Sequence, residues 1–451
     1  MLEHEDTIAA IATPPGRGGI GVVRISGPLT RQIARHMLGL DAEPEARHAS
    51  LHNFYTTDGT VIDQGIALYF QSPASYTGED ILELQGHGGP VVMDMLLQTA
   101  LTHGARLARP GEFSERAFIN GRIDLIQAEA IADLIDSHSQ QAARSALQSL
   151  QGRFSRQIEA LVQELIDLRS YVEAAIDFVD EEIDFLSAGQ VRQRLATLQT
   201  TIAEVLARAQ QGVLLRDGMN IVIAGPPNAG KSSLLNVLAG TDTAIVTEQA
   251  GTTRDVLREH IVLDGLPLHI IDTAGLRDSE EAVEQIGINR ARDQIRKADL
   301  VLLVFDANSH DAALYEEMRS AVPDDVDVVI VWNKIDLSGD KPRRSSGLLT
   351  EVFVSVTGGQ GMDLLIEQLK ECAGYHPGSE NAIIARRRHL TALEQAAGYL
   401  DHGSKHLQGE QAGELLAEDL RQAQQALSQI TGIFTSDDLL ASIFSSFCIG
   451  K

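Results

Sequence analysis

Apolar residues recur along this chain in several registers, and each predicts a different kind of element. Near the start, short runs such as Thr7-Ile8-Ala9-Ala10-Ile11-Ala12 and Ile20-Gly21-Val22-Val23-Arg24-Ile25 have the length of strands. A helix follows near 88–103, so residues 1 to about 120 predict a compact α+β domain. From about 122 the pattern turns helical. Leu147, Leu150, Phe154, Ile158, Leu161, Leu165, Leu168 and Val172 recur at steps of three and four, which predicts one stripe on a long helix, and Val191, Leu195, Leu198, Ile202 and Val205 repeat it. The acidic break between them, Asp177-Phe178-Val179-Asp180-Glu181-Glu182-Ile183-Asp184, reads as a solvated connection rather than a metal site.

A further register is the short unbroken apolar run, and three such runs end in polar patches with chemistry of their own. Ile221-Val222-Ile223-Ala224 leads into Gly225-Pro-Pro-Asn228-Ala229-Gly230-Lys231-Ser232, followed by Ser233-Leu234-Leu235. This fits the strand, loop and helix of G-x-x-x-x-G-K-[ST], in which backbone N–H groups wrap a phosphate, Lys231 meets the β/γ oxygens and Ser232 ligates magnesium. Leu268-His269-Ile270-Ile271 ends in Asp272-Thr273-Ala274-Gly275, putting a carboxylate at a strand end where magnesium sits and a glycine that can approach the γ-phosphate. Val328 to Trp332 ends in Asn333-Lys334-Ile335-Asp336, where a carboxylate can accept both N1–H and the 2-amino group of guanine. With Gly251-Thr252-Thr253-Arg254-Asp255 between the first two, the ordered set predicts a GTPase; one patch alone would be an ordinary strand-end turn.

In Ras-like switches a glutamine after Asp-x-x-Gly orients the attacking water; here Leu276 stands there and cannot. Two residues offer another device. A carboxylate at Glu284 can hold or polarise the water, and the Asn228 amide oxygen can hold a monovalent cation where an arginine finger would place its charge. Spacing alone leaves Glu284 equally readable as a solvated helix residue. Beyond a linker at 376–381, helical periodicity resumes through Leu390, Leu393, Ala396 and Leu400, then Leu415, Leu416, Leu420 and Leu427, so a nucleotide domain inserted into a helical one is expected.

Composition narrows this further. A chain of 451 residues with 43% apolar positions should hold two to four domains. Two cysteines, Cys372 and Cys448, argue against a disulfide framework, and the acidic start and lack of a long apolar run lead us to expect a cytoplasmic protein without a membrane partner. A net charge of −26 disfavours broad capture of nucleic acid, so an RNA partner should meet a local basic patch or arrive with a more basic protein. The terminal Phe447-Cys448-Ile449-Gly450-Lys451 departs from the prenylation pattern, which wants an aliphatic residue at Gly450. That leaves a buried cysteine, a functional thiol or a terminus that lines a site.

Outside the GTPase patches, Thr7 to Gly27, Ser75-Tyr76-Thr77-Gly78-Glu79-Asp80, Gln85-Gly86-His87-Gly88-Gly89, Arg109-Pro110-Gly111-Glu112-Phe113-Ser114, Asp437-Asp438-Leu439-Leu440 and the terminal pentapeptide resemble the MnmE (TrmE) family of tRNA-modifying GTPases, end to end. The resemblance implies a multidomain α+β and α/β fold: a folate-binding, dimerising α+β domain at 1–119, a helical domain at 120–216 and 376–451, and a Ras-like P-loop GTPase domain interrupting it at 217–375. It implies that the chain acts as a homodimer with the flavoprotein MnmG (GidA), in a heterotetramer or larger complex. Together they would modify C5 of the wobble uridine of certain tRNAs with aminomethyl or carboxymethylaminomethyl groups. A tetrahydrofolate, in the 5,10-methylene or 5-formyl form, would supply the carbon.

Position by position, Asn228, Thr247, Gln249 and Thr252 match the family's potassium ligands, Ser232 and Thr253 its magnesium ligands, and Glu284 its catalytic glutamate. Arg24, Glu83, Arg122 and Lys451 match folate contacts, and Cys448 the terminal cysteine. At the guanine site, Ser355-Val356-Thr357 stands where many GTPases have Ser-Ala-Lys, so the stacking lysine stem is absent and a weaker grip is expected, with the Val356 N–H still meeting the guanine carbonyl. A plain regulatory or ribosome-assembly GTPase would need neither folate site nor terminal cysteine. A membrane-anchored GTPase has only Cys448 in its favour, and Asn333 with Asp336 disfavours an ATPase.

Overall fold

The computed structural model describes residues 6–137, 139–177, 189–240, 258–272, 294–309, 311–375, 383–407, 412–433, 440, 443–445, 447–448 and 450. By internal contacts the chain forms two units, one of residues 1–132, 150–162 and 424–451, the other of residues 133–149 and 163–423.

The first unit is built on a six-stranded sheet in the order β3-β4-β5-β2-β1-β6, with β1 Ile8–Ile11, β2 Gly21–Ser26, β3 Ser50–Tyr55, β4 Val61–Phe70, β5 Ile81–Gly86 and β6 Arg106–Leu107. Alternate residues point one way: Val23 and Ile25, Ala67 and Tyr69, Leu82 and Leu84 form one core with Ile33 and Met37 of helix α1 (Thr30–Leu38) and Met93, Leu96 and Ala100 of α2 (Pro90–Thr102). The intervening positions, Arg24 and Glu83 among them, fall on the opposite face. Phe113 of α3 (Glu112–Ile119) packs on Ile8 and Ala10 of β1, and α4 (Leu125–Ile135) follows it in the chain. Ile443, Phe444 and Phe447 pack on Leu125, Ala128 and Phe118, which brings the end of the chain into this unit.

Charges far apart in sequence are sewn together at the start of α3. The Glu112 side chain has no exposure; it accepts from Arg106 and, at 2.7 Å, from the backbone N–H of Arg109. Burial alone would raise its pKa, but these donors and the nearby Arg116 charge outweigh it and pull it from an ordinary 4.5 to about 2. A lowered folded pKa stabilises above the unfolded value and is lost as pH falls through the folded one. We therefore expect Glu112→Gln to destabilise the chain by about 3 kcal/mol at neutral pH. The gap to wild type should close between about pH 4.5 and 2 in thermal melts.

The apolar stripe from Leu147 to Val172 is not one helix. It is divided between α5 (Gln140–Leu150) and α6 (Arg153–Asp177) by Gly152, whose φ of 76° is left-handed, and Leu147 is 44% exposed. The second stripe forms α7 (Gln190–Asp217), which packs on the helix Arg387–His406. The break between α6 and α7, at 178–188, lies outside the described residues.

A seven-stranded sheet, in the order β12-β13-β11-β10-β7-β9-β8, follows α7, with β7 Met219–Ala224, β8 Arg258–Leu263, β9 Leu266–Asp272, β10 Leu300–Asp306, β11 Asp327–Asn333, β12 Arg343–Ser346 and β13 Thr350–Phe353. β9, β7, β10, β11 and β13 run parallel. Its central strands are apolar throughout because both faces are covered: Leu300, Leu302 and Val304 enter one core, while Val301, Leu303 and Phe305 enter another. Strands later in sequence than β7 lie on both sides of it, so the chain order reverses at β7. Ligands of open α/β sheets bind beyond the carboxyl ends of strands at such a point.

Candidate functional site

At the carboxyl end of β7 the chain turns through 225–230 into α8 (Lys231–Gly240), whose first backbone N–H groups have no intrahelical partner and face outward. The Lys231 ammonium donates to the carbonyl oxygens of Gly225 at 3.0 Å and Pro226 at 2.8 Å, so the lysine is folded back over its own loop. Ser232 and Ser233 are exposed on the first turn of α8. Asn228 is also exposed and has φ of 62°, a left-handed conformation that asparagine tolerates better than most residues.

Gly230, with φ of 97°, is required by sterics: a Cβ there would collide with Nδ2 of Asn333. That close approach shows what Asn333 does. Its Nδ2 donates to the Ala229 carbonyl oxygen at 2.8 Å, and its Oδ1 accepts from the backbone N–H of Lys334 at 2.8 Å and of Val356 at 3.1 Å. One buried amide thus ties the ends of β7, β11 and β13 together, a role its motif does not announce. The Val356 N–H, expected to meet a guanine carbonyl, is directed to Asn333 instead.

Lys334 takes φ of 67° and its ammonium pairs with Asp306 Oδ2 at 2.8 Å. Burial would raise the Asp306 pKa, but the Lys334 and Asn308 bonds hold it below the usual carboxylate range. Sequence reasoning missed Asp306, although it ends an apolar run just as Asp272 does. Asp336 accepts at Oδ1 from Ser355 Oγ at 2.6 Å, and Oδ2 accepts no hydrogen bond among the described residues. Ser355 Oγ also accepts from the Gly358 N–H at 3.1 Å. The adjoining Thr357 is exposed.

Asp272 ends β9 in register with Ile223 of β7, but its side chain lies outside the described residues. So do Thr247, Gln249, Thr252, Thr253, Thr273, Ala274, Gly275 and Glu284, as well as Lys451 in the other unit.

In the first unit, Arg24 of β2 stands opposite Glu83 of β5, and Arg24 Nε donates to Glu83 Oε1 at 2.9 Å. The guanidinium lies over the rings of Tyr76 and Phe113 at 5.8 and 5.7 Å, and its NH1 donates to the Gly450 carbonyl oxygen at 3.3 Å. Burial raises the Tyr76 pKa, and its hydroxyl shares a 2.7 Å bond with Ser114. The Cys448 carbonyl oxygen accepts from the Gly111 N–H at 3.3 Å, and the residue itself is exposed, which removes the buried-cysteine reading. Sequence positions 24, 83, 448 and 450 are therefore gathered on one side of the sheet. Arg122 is exposed, with its stem against Gly78, and lines a groove of about 360 Å³ with Phe118, Ile123 and Ile433.

Sheet order, loop and strand-end residues define a P-loop GTPase. Family models match two stretches, "GTP-binding protein TrmE N-terminus" over residues 7–122 and "MnmE helical domain" over 125–448. A tRNA modification GTPase MnmE from Pseudomonas syringae pv. syringae (strain B728a) is 58% identical over 458 residues, covering 100% of both chains. Those of Stutzerimonas stutzeri (strain A1501) and Marinomonas sp. (strain MWYL1) are 57% and 58% identical, covering 100% of both chains for the first and 99% of this chain and 98% of the relative for the second. Among solved structures, the G domain of the T. maritima FeoB iron transporter is 27% identical over 34% of this chain and 98% of that chain, with a TM-score of 0.26. The chain belongs to the MnmE family of tRNA modification GTPases, and it is a GTP hydrolase that takes part in tRNA modification. Among the described residues no helix is long and apolar enough to cross a membrane.

Proposed function

We propose that the chain is a potassium-dependent GTPase that, with an MnmG-type flavoprotein, modifies C5 of the wobble uridine of certain tRNAs, using a one-carbon unit from a 5,10-methylene or 5-formyl tetrahydrofolate. GTP hydrolysis would drive cycles of pairing between the nucleotide domains of a homodimer. The domain limits follow the family: folate binding at 1–119, GTPase at 217–375, and a helical domain split between 120–216 and 376–451. The observation that carries the cation reading is Asn228, which is exposed at a left-handed position in the phosphate loop, with a side-chain amide that makes no hydrogen bond among the described residues. An oxygen ligand presented in that way suits a weakly held monovalent ion.

The residues divide the work by their chemistry. N–H groups of 228–233 cradle the phosphates, and Lys231, already held over the loop by two carbonyl oxygens, meets the β/γ oxygens. Ser232 with Thr253 would hold magnesium; Asn228 with Thr247, Gln249 and Thr252 would hold potassium. These ions supply charge neutralisation on the phosphates, potassium standing where other GTPases use an arginine finger. Glu284 positions the attacking water through a second water, and Asp272 to Gly275 border the γ-phosphate. Asp336 reads guanine through Oδ2, within a frame set by Asn333, Lys334, Ser355, Val356 and Thr357.

In the N-terminal domain, Glu83 accepts from pterin N–H groups, while Arg24, Arg122 and Lys451 meet the folate's glutamate carboxylates. Cys448 presents a thiol beside that site. Glu83→Gln should weaken binding of 5-formyltetrahydrofolate about tenfold, the weight of one charge-assisted hydrogen bond, while leaving GTP binding intact. Titration calorimetry with both ligands measures this, and unchanged folate affinity would remove Glu83 from the pocket.

A further inference from the structure

The hairpin of β8 and β9 has a particular place in the chain. β8 begins at Arg258, with two residues between it and the Gly251–Asp255 segment, and β9 ends at Asp272, where the Asp272–Gly275 segment begins. Its two strands are paired from Arg258↔Ile271 to Leu263↔Leu266, so a displacement at the nucleotide end is carried along a ladder about 20 Å long. β9 is fixed on its other side by β7, whereas among the described strands β8 pairs with β9 alone and forms the sheet's edge.

The far end is the two-residue turn Asp264–Gly265, with φ of 49° and 94°, the left-handed pair that an Asp-Gly hairpin turn requires. Three other parts of the chain converge on it. Lys370, on the helix Met362–Cys372, pairs with Asp264 Oδ2. The Tyr375 hydroxyl, on a side chain only 2% exposed, lies 3.0 Å from the Asp264 carbonyl oxygen and 3.3 Å from Gln141 Oε1. Its one proton is shared between the two oxygens as a three-centre bond weighted toward the nearer one, so the hydroxyl joins the turn to the Gln141 side chain. A Cβ on Gly265 would fall 2.9 Å from Gln141 Oε1 and 3.0 Å from the Tyr375 hydroxyl, so the turn, Tyr375 and Gln141 are packed without slack.

Gln141 belongs to α5, outside the nucleotide-binding segment. Tyr375 is the last residue before the 376–381 linker, where the chain leaves that segment.

We propose that Tyr375 and Gln141 are positioning residues that fasten the tip of the β8–β9 hairpin to α5, so that movement of the segments at its base with the state of the nucleotide is transmitted to the helical part of the molecule. The inference rests on reading 251–255 and 272–275 as the nucleotide-responsive segments. It gives the GTPase cycle a physical outlet: the β8–β9 hairpin moves as a paired unit, and α5 follows because its first turn is joined to the tip. Neither residue touches nucleotide, so their loss should separate GTP turnover from the response of α5.

The test is hydrogen exchange on the full chain, with GDP alone and with GDP, aluminium fluoride and potassium, in wild type, Tyr375→Phe and Gln141→Ala. In wild type, exchange in 140–150 should change between the two states together with 251–255 and 272–275. Each substitution should shrink the α5 response about fivefold, the weight of one hydrogen bond, with the base segments still responding and GTP turnover of Tyr375→Phe within about twofold of wild type. Gln141→Ala removes no fully buried side chain, which keeps the test independent of folding damage at Tyr375. A full-sized α5 response in both variants overturns the inference, as does a wild-type α5 that stays silent while 251–255 and 272–275 respond. Silence in those two segments as well would overturn their reading as switches, and this inference with it.

Discussion

Asp336→Asn should lower GTP and GDP affinity about 100-fold and turn preference toward xanthosine nucleotides. Guanine presents two donors side by side, N1–H and the 2-amino group, and the aspartate carboxylate is acceptor-only. Ser355 occupies Oδ1 at 2.6 Å, which fixes the carboxylate plane and leaves Oδ2 available to the base. An asparagine in that place turns an N–H toward the 2-amino group, so a charge-assisted bond of about 1.5–3 kcal/mol is lost and two donors oppose each other. Xanthine carries a carbonyl where guanine has the amine, and that carbonyl accepts from the new amide. Titration of both nucleotides against wild type and variant checks this; an unchanged preference for guanine would take Asp336 out of base recognition.

The second large effect belongs to the other unit. Arg116→Met should destabilise it by about 3–5 kcal/mol, enough to unfold a marginal domain at growth temperature. The Arg116 side chain has no exposure and bridges three carboxylates: NH1 lies 3.1 Å from both oxygens of Glu79, and NH2 lies 2.7 Å from Asp6 Oδ1 and 3.3 Å from Glu112 Oε1. Methionine fills much of the space but leaves Glu79 without its cation, and Asp6 and Glu112 with Arg106 alone between them. Adding Glu112→Gln to Arg116→Met should cost less than Glu112→Gln costs in wild type, because the Arg116 bond to Glu112 is already gone while the Arg106 pair is still lost. Thermal melts of the single and double variants measure both, and a melting temperature within a degree of wild type for Arg116→Met would contradict the account.

These two sites differ in how far they can be read from sequence. The phosphate loop and the strand-end patches are legible because phosphate and guanine recognition demand particular residues at short, fixed spacing, placed after apolar runs that are strands. The Arg116 network is illegible: Asp6, Glu79, Glu112 and Arg116 are brought together by the sheet and α3, and each alone looks like a surface charge. Asn333 was legible as part of a motif, but its use as a buried tie between the Ala229 carbonyl and the Val356 N–H was not. The stripe from Leu147 to Val172 misled for a different reason. Leu150 and Phe154 keep helical spacing across Gly152, so periodicity alone cannot show that the helix stops between them. The folate-type constellation depended on the family resemblance, since nothing near Arg24 or Glu83 in sequence indicates that Gly450 will lie beside them.

The central claim, a GTPase assisted by potassium at Asn228, is tested most directly by GTP turnover of the purified full chain in potassium and in sodium at equal ionic strength, alongside Asn228→Ala. The expected result is strong, selective activation by potassium in wild type and none in the variant, with GDP affinity of the variant near wild type. Equal rates in both salts, or full potassium activation of Asn228→Ala, would contradict it.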